Sequence, residues 1–214
     1  MSKKAVVFDL DGTLLNTLDD LADSTNFALS CLGFPKRSIE EIRRFVGNGN
    51  VKLIERSVPD GTDKEQLNAC YNAFIKHYKE HMLDKTRPYE GIPELLKSLK
   101  ERKIKLAIVT NKTEFAAKEI CARVFGDLPD LVIGANDTLK KKPAPDGVLY
   151  ALDKLGVSKS QAVFVGDSEV DIQTAINAEI DCIGVLWGFR DEEVLLEMGV
   201  KKTAKTASQL GKLI

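Results

Sequence analysis

Short apolar runs recur along the 214-residue chain, with amphipathic stretches between them. Residues 4–8 (KAVVF), 104–109 (IKLAIV), 131–134 (LVIG), 162–166 (AVFVG) and 181–186 (DCIGVL) are rich in Val and Ile and do not alternate with polar positions. Such runs are expected of strands buried on both faces of a parallel sheet. Leu95, Leu96, Leu99 and Ile104 lead into the second run. Phe115, Ala116, Ile120 and Val124 follow it, and Val148, Leu149, Leu152 and Leu155 precede the fourth, all at helical spacing. Alternation of strand and helix at this spacing predicts an α/β fold with a doubly wound, Rossmann-like parallel sheet. Ligands in that architecture sit outside the carboxyl ends of the strands.

The rhythm breaks between about residue 16 and residue 86, where no strand pattern is found. Leu18, Leu21, Thr25, Ala28 and Leu32 step at helical spacing up to Gly33 and Pro35; Leu67, Cys70, Tyr71, Phe74, Tyr78 and Met82 do the same further on. The chain therefore reads as a catalytic core of residues 1–15 and 88–214 carrying an all-helical cap, residues 16–87. The hinges are expected near Leu15-Asn16 and Arg87-Pro88.

Composition removes several classes of function. Thirty-one Lys and Arg against 32 Asp and Glu leave no excess charge for nucleic acid or a membrane surface. Cys31, Cys70, Cys121 and Cys182 are scattered without metal-ligand spacing and read as reduced residues. The N-terminal apolar run is too short for a signal segment or a membrane span, so a cytoplasmic protein is expected, monomeric or weakly dimeric.

Candidate chemistry begins at the end of the first strand, in DLDGTLLNT, residues 9–17. Strand alternation turns Asp9 and Asp11 to the same side, and Gly12 lets the chain leave the strand sharply. Taken alone, the segment could also be an Asp-Gly turn with two solvated acids. Further polar groups follow at successive strand ends: Thr110-Asn111-Lys112 after the second, KKKPAPD (140–146) after the third, and GDSEVD (166–171) after the fourth.

With these four motifs in this order the chain resembles the haloacid dehalogenase superfamily of aspartate-nucleophile phosphatases, over nearly its whole length. The helical insert lies where that superfamily carries its first type of cap. The resemblance implies a Mg2+-dependent phosphohydrolase acting on a small phosphorylated metabolite. Asp9 is then the nucleophile that forms an aspartyl-phosphate, and Asp11 the general acid and base. Asp9 and Asp167, with the main-chain carbonyl of Asp11, would hold the metal. Thr110, Asn111 and Lys142 would bind the phosphoryl group, and Asp171 would support Lys142 or metal-bound water. Lys140 and Lys141 read as solvated, as do His77 and His81, four residues apart on a cap helix. Ser168 and Glu169 serve equally well as a helix cap and first-turn charge. Residues 187–190 (WGFR) either rim the pocket or pack.

Finer distinctions rest on departures. Acids at both Asp9 and Asp11 disfavour a dehalogenase or phosphonate hydrolase. Leu21 stands where similar sugar phosphomutases carry a His, so a beta-phosphoglucomutase-like activity is a second reading and a pyrophosphatase a third. A non-enzymatic phosphate-binding module is opposed by the complete set Asp9, Asp11, Lys142 and Asp167. The segment RRFVGNGN, residues 43–50, resembles the cap of bacterial phosphoglycolate phosphatases, although a Gly-rich turn between helices would look the same. Asn48 and Gly49 are its candidate substrate contacts, with Arg43 or Lys52 adding charge. Asn16 replaces the Asp those enzymes usually carry, a change at the hinge and not in the chemistry.

Overall fold

The computed structural model describes residues 3–214, so the first two residues of the expected core segment lie outside it. Six parallel strands form one sheet in the order β5-β4-β1-β6-β7-β8. They are β1 (Ala5–Phe8), β4 (Lys105–Thr113), β5 (Leu131–Ala135), β6 (Ala162–Gly166), β7 (Asp181–Val185) and β8 (Thr203–Ala204). The central strand is AVVF, and all four of its residues are fully buried. Its alternation divides the core. Val6 and Phe8 join Leu106, Ile108, Val163 and Val165 on one face, packed under α5 (Ile92–Glu101), α6 (Glu114–Phe125) and α10 (Ala207–Leu213). Ala5 and Val7 join Ala107, Val109 and Phe164 on the other, under α7 (Asp146–Leu155) and α8 (Glu169–Ala178).

Two features were not legible in the hydrophobic pattern. The edge strand β8 has only two residues and follows a short helix, α9 (Glu192–Glu197). A second, two-stranded antiparallel ribbon pairs β2 (Leu15–Asn16) with β3 (Arg87–Pro88), in the register Leu15 to Pro88 and Asn16 to Arg87. Between these strands run four helices, α1 (Leu18–Cys31), α2 (Ile39–Phe45), α3 (Asn50–Ser57) and α4 (Lys64–His81). Their buried faces, including Leu21, Leu29, Ile42, Leu53, Ile54 and Phe74, are continuous with the first core cluster of the sheet. The buried Asp20 carboxylate accepts hydrogen bonds from the backbone N–H groups of Lys85 and Thr86, tying α1 to the returning chain. Asn16 Oδ1 accepts from the Leu18 N–H at 3.2 Å, a local turn at the start of α1. No helix among the described residues is long and apolar enough to cross a membrane.

Candidate active site

β1 lies between β4 and β6, where the direction of winding reverses, so the carboxyl ends of these three strands open a crevice. The crevice is floored by Asp9, Asp11, Thr110, Asn111, Lys112, Asp167 and Ser168. The cap covers it with Leu21, Val46, Gly47, Gly49, Asn50 and Leu53.

Lys142 is the hinge of the charge arrangement. Its buried Nζ lies 2.6 Å from Asp171 Oδ1 and 2.8 Å from Asp9 Oδ1. Burial opposes its charge, but Asp171 and Asp9 outweigh that and hold its pKa above the ordinary lysine value. Asp171 is fully committed. Its other oxygen accepts from the backbone N–H groups of Asp167 and Ser168 and from the Ser168 hydroxyl. Asp167 accepts from the Thr13 hydroxyl on Oδ1 and from the Phe189 N–H on Oδ2, both at 2.8 Å. The backbone crowds this carboxylate closely: a Cβ added at Gly12 would stand 2.3 Å from Asp167 Oδ2, and Gly12 sits at φ +87°.

Asp9, Asp167 and Asp171 each present an oxygen within 4.8 Å of the others. Asp9 Oδ1 is buried, and the polar group beside it is the Lys142 ammonium at 2.8 Å. Burial, and then the charge of Asp171, raises Asp9 to about 7 despite partial relief from Lys142. Asp167 is pushed up to about 8 by burial, then by Asp171 and Asp9. Buried carboxyls crowded this closely, each disfavouring the charge of the others, form a site whose chemistry suits a divalent cation.

Asp11 Oδ1 receives the Thr17 hydroxyl at 2.8 Å and lies 3.0 Å from the ammonium of Lys112. Lys112 also donates to the hydroxyl of Tyr78, a buried residue of the cap helix α4. Burial disfavours the Lys112 charge, yet Asp11 and Tyr78 prevail and raise its pKa. The Thr110 hydroxyl accepts only a long 3.3 Å bond from Lys112 N, so its proton is available to an anion.

Several sequence expectations need correction. The Asn111 Nδ2 hydrogens are taken by the carbonyls of Gly47 and Lys142, so its side-chain amide is not open to a phosphoryl group. Asn48 does not line the crevice; its Oδ1 accepts from Arg56, and Asn50, not Asn48, joins Gly49 on the wall. Arg43 pairs with Asp191 and Lys52 with Glu55, which removes both from the crevice. Lys141 is exposed, as expected, and its Nζ lies 4.0 Å from the position a Cβ would take at Gly49. His77 meets Ser24 and His81 meets Asp84, with the two rings stacked.

Residues given no site role in the sequence are Thr13, Lys112, Tyr78 and Asn50; of the segment 187–190, Phe189 and Arg190 line the crevice. Lys112 carried a usable signal, a charge inside an otherwise buried strand. Arg190 links Glu169 to the carbonyls of Arg43 and Val46 at the end of α2, a contact between distant segments that no local pattern predicts.

The family model of haloacid dehalogenase-like hydrolases matches residues 6–185. A phosphoglycolate phosphatase of Psychrobacter arcticus is 34% identical over 88% of this chain and 86% of its own length. That of Thiobacillus denitrificans is 32% identical over 99% and 95%. A crystal structure from Lactobacillus delbrueckii subsp. bulgaricus superposes with a TM-score of 0.95 and 33% identity, over 100% of this chain and 99% of that one. The chain belongs to the haloacid dehalogenase-like hydrolase family. Within it, this is a phosphoric monoester hydrolase.

Proposed function

We propose that the enzyme is a Mg2+-dependent phosphatase of small phosphorylated metabolites, phosphoglycolate phosphatase-like, acting through an aspartyl-phosphate on Asp9. The observation that carries this reading is the buried Asp9 carboxylate held beside Lys142 and Asp167 at the carboxyl end of the central strand. Asp9, Asp167 and the main-chain carbonyl of Asp11 would hold Mg2+, whose hard oxygen preference they meet. When bound, the ion supplies the positive charge that lets an anionic nucleophile approach a dianionic ester.

Asp9 attacks phosphorus, and the phosphorus–oxygen bond to the leaving group breaks. Asp11 gives its proton to the departing alkoxide, then takes one from the water that hydrolyses the acyl phosphate and regenerates the Asp9 carboxylate. Thr17 and Lys112 both engage Oδ1 of Asp11, which leaves Oδ2 to carry that proton. Lys142 and the Thr110 hydroxyl stabilise the phosphoryl oxygens. Leu21, only 2% exposed, forms an apolar part of the cap wall, which supports hydrolysis over phosphoryl return to a sugar. Names of the curated relatives support 2-phosphoglycolate as the substrate.

The test is inorganic phosphate release from a panel of phosphorylated metabolites, with Mg2+ and with excess chelator, without any bisphosphate activator. Release from 2-phosphoglycolate above hexose phosphates, abolished by chelator, is the expected result. Undiminished activity in chelator, or activity only with a sugar bisphosphate present, would overturn the reading.

A further inference from the structure

We propose that the N-terminus of α3, completed by the side-chain amide of Asn50, is the subsite for a carboxylate on the substrate's non-phosphoryl end. This rests on the phosphatase reading above and adds to it the substrate class: compact phosphate esters bearing a second anionic group.

The first backbone bond of α3 runs from Leu53 N to Gly49 O, so the N–H groups of Asn50, Val51 and Lys52 have no acceptor within the helix. The N-cap is Gly49, which offers no capping side chain, and the first turn contains no acidic residue. These N–H groups are open to water or to an anionic ligand, as at other helix starts without a capping side chain. The independent observation is Asn50. It is 8% exposed, it lines the crevice, and its Nδ2 is buried with no hydrogen-bond partner. A buried donor without an acceptor is unfavourable unless a ligand supplies one.

Charge and reach agree with this. The cap contributes Leu21, Val46, Gly47, Gly49, Asn50 and Leu53 to the crevice, with no carboxylate among them. The Lys141 ammonium lies 4.0 Å from the position a Cβ would take at Gly49. The Gly49 turn presses on the end of β4, where an added Cβ would lie 3.0 Å from the Asn111 carbonyl. The start of α3 thus abuts the strand that carries Thr110, and Asn50 lines the same crevice as Asp9 and Thr110, which fits a compact substrate. A hexose, with several hydroxyls to satisfy, meets one amide and three apolar side chains on that wall.

The experiment compares kcat/KM for 2-phosphoglycolate and for ethyl phosphate, its counterpart without the carboxylate, in wild type, Asn50→Ala and Asn50→Asp. p-Nitrophenyl phosphate turnover and melting temperature are recorded alongside. The ratio should fall about tenfold in Asn50→Ala and further in Asn50→Asp. Because both esters are measured on the same enzyme, a loss of folded protein cancels in the ratio, and the melting temperature reports any destabilisation. An unchanged ratio in both variants, or a wild type that does not prefer 2-phosphoglycolate, overturns the subsite while leaving the phosphatase intact. A wild type that releases phosphate from none of the three esters fails the reading beneath it, and the subsite with it.

Discussion

The ammonium of Lys112, from the strand beside the nucleophile, lies 3.0 Å from Oδ1 of Asp11 and is shielded from solvent. The same nitrogen donates to the Tyr78 hydroxyl oxygen at 2.8 Å, so one buried cation joins the proposed general acid to a cap helix. Tyr78→Phe deletes one hydrogen bond and should cost about 1 kcal/mol of stability. Because the bond crosses from cap to core, kcat for 2-phosphoglycolate should also fall several-fold. Lys112→Met should lower kcat far more, by roughly a hundredfold, since Asp11 then loses the charge that fixes it. Thermal melts and steady-state kinetics of the two variants check this; a Lys112→Met enzyme with wild-type kcat would show the pair to be structural only.

Asp9→Asn should abolish turnover while the protein stays folded. Asn has the same shape but cannot form the acyl phosphate, and loss of covalent catalysis costs several orders of magnitude. The change also relieves repulsion among Asp9, Asp167 and Asp171, so the metal-free variant should melt no lower than wild type near neutral pH. Activity above a tenth of wild type would mean that Asp9 is not the nucleophile.

The same carboxyls give the metal-free protein a defined pH dependence. Asp9 and Asp167 are raised to about 7 and about 8, above their unfolded values near 4. Groups of this kind contribute stability that is fully present below the unfolded pKa and disappears as pH rises through the folded one. Without metal, the melting temperature should therefore decline between roughly pH 4 and 8 through these two groups. Mg2+ competes with those protons, so the rise in melting temperature it produces should be larger at pH 8 than at pH 6. Ca2+ should bind yet inhibit, because its larger and looser shell misplaces the nucleophile. Equal Mg2+ shifts at the two pH values would refute the assignment of the cation to these carboxyls.

Gly49→Val tests the turn that presses on β4. Gly49 sits at φ +85°, and a Cβ there would come within 3.0 Å of the Asn111 carbonyl, so the cap cannot seat as it does now. KM should rise and kcat fall for 2-phosphoglycolate. p-Nitrophenyl phosphate, with its good leaving group, asks less of a closed cap and should lose much less. Paired kcat/KM values decide it, and equal losses on both esters would reduce the turn to a structural role.

The sheet was legible because a strand buried on both faces must be apolar at every position, as AVVF and AVFVG are. Asp9, Asp11, Lys142 and Asp167 were legible because each stands in a short motif at the end of such a strand. Strand β8 was not, since two residues carry no period. Asn50 was missed in favour of Asn48 because two Asn flank Gly49, and only the backbone path decides which reaches the crevice and which pairs with Arg56. The Asn111 amide was misjudged for a related reason: its partners, Gly47 and Lys142, are 64 and 31 residues away.

The ribbon of β2 and β3 bears on how such a chain can change. Leu15 faces Pro88 and Asn16 faces Arg87, so the excursion of residues 17–86 departs and returns at a single point on the rim of the sheet. Closing a loop depends only weakly on its length once its ends meet. The frame that holds the nucleophile therefore places little constraint on the size or shape of what is threaded between those two strands. A lid grafted from a relative at Leu15 and Pro88 would bring a new set of substrate contacts to the same chemistry, with the strand that carries Asp9 left untouched.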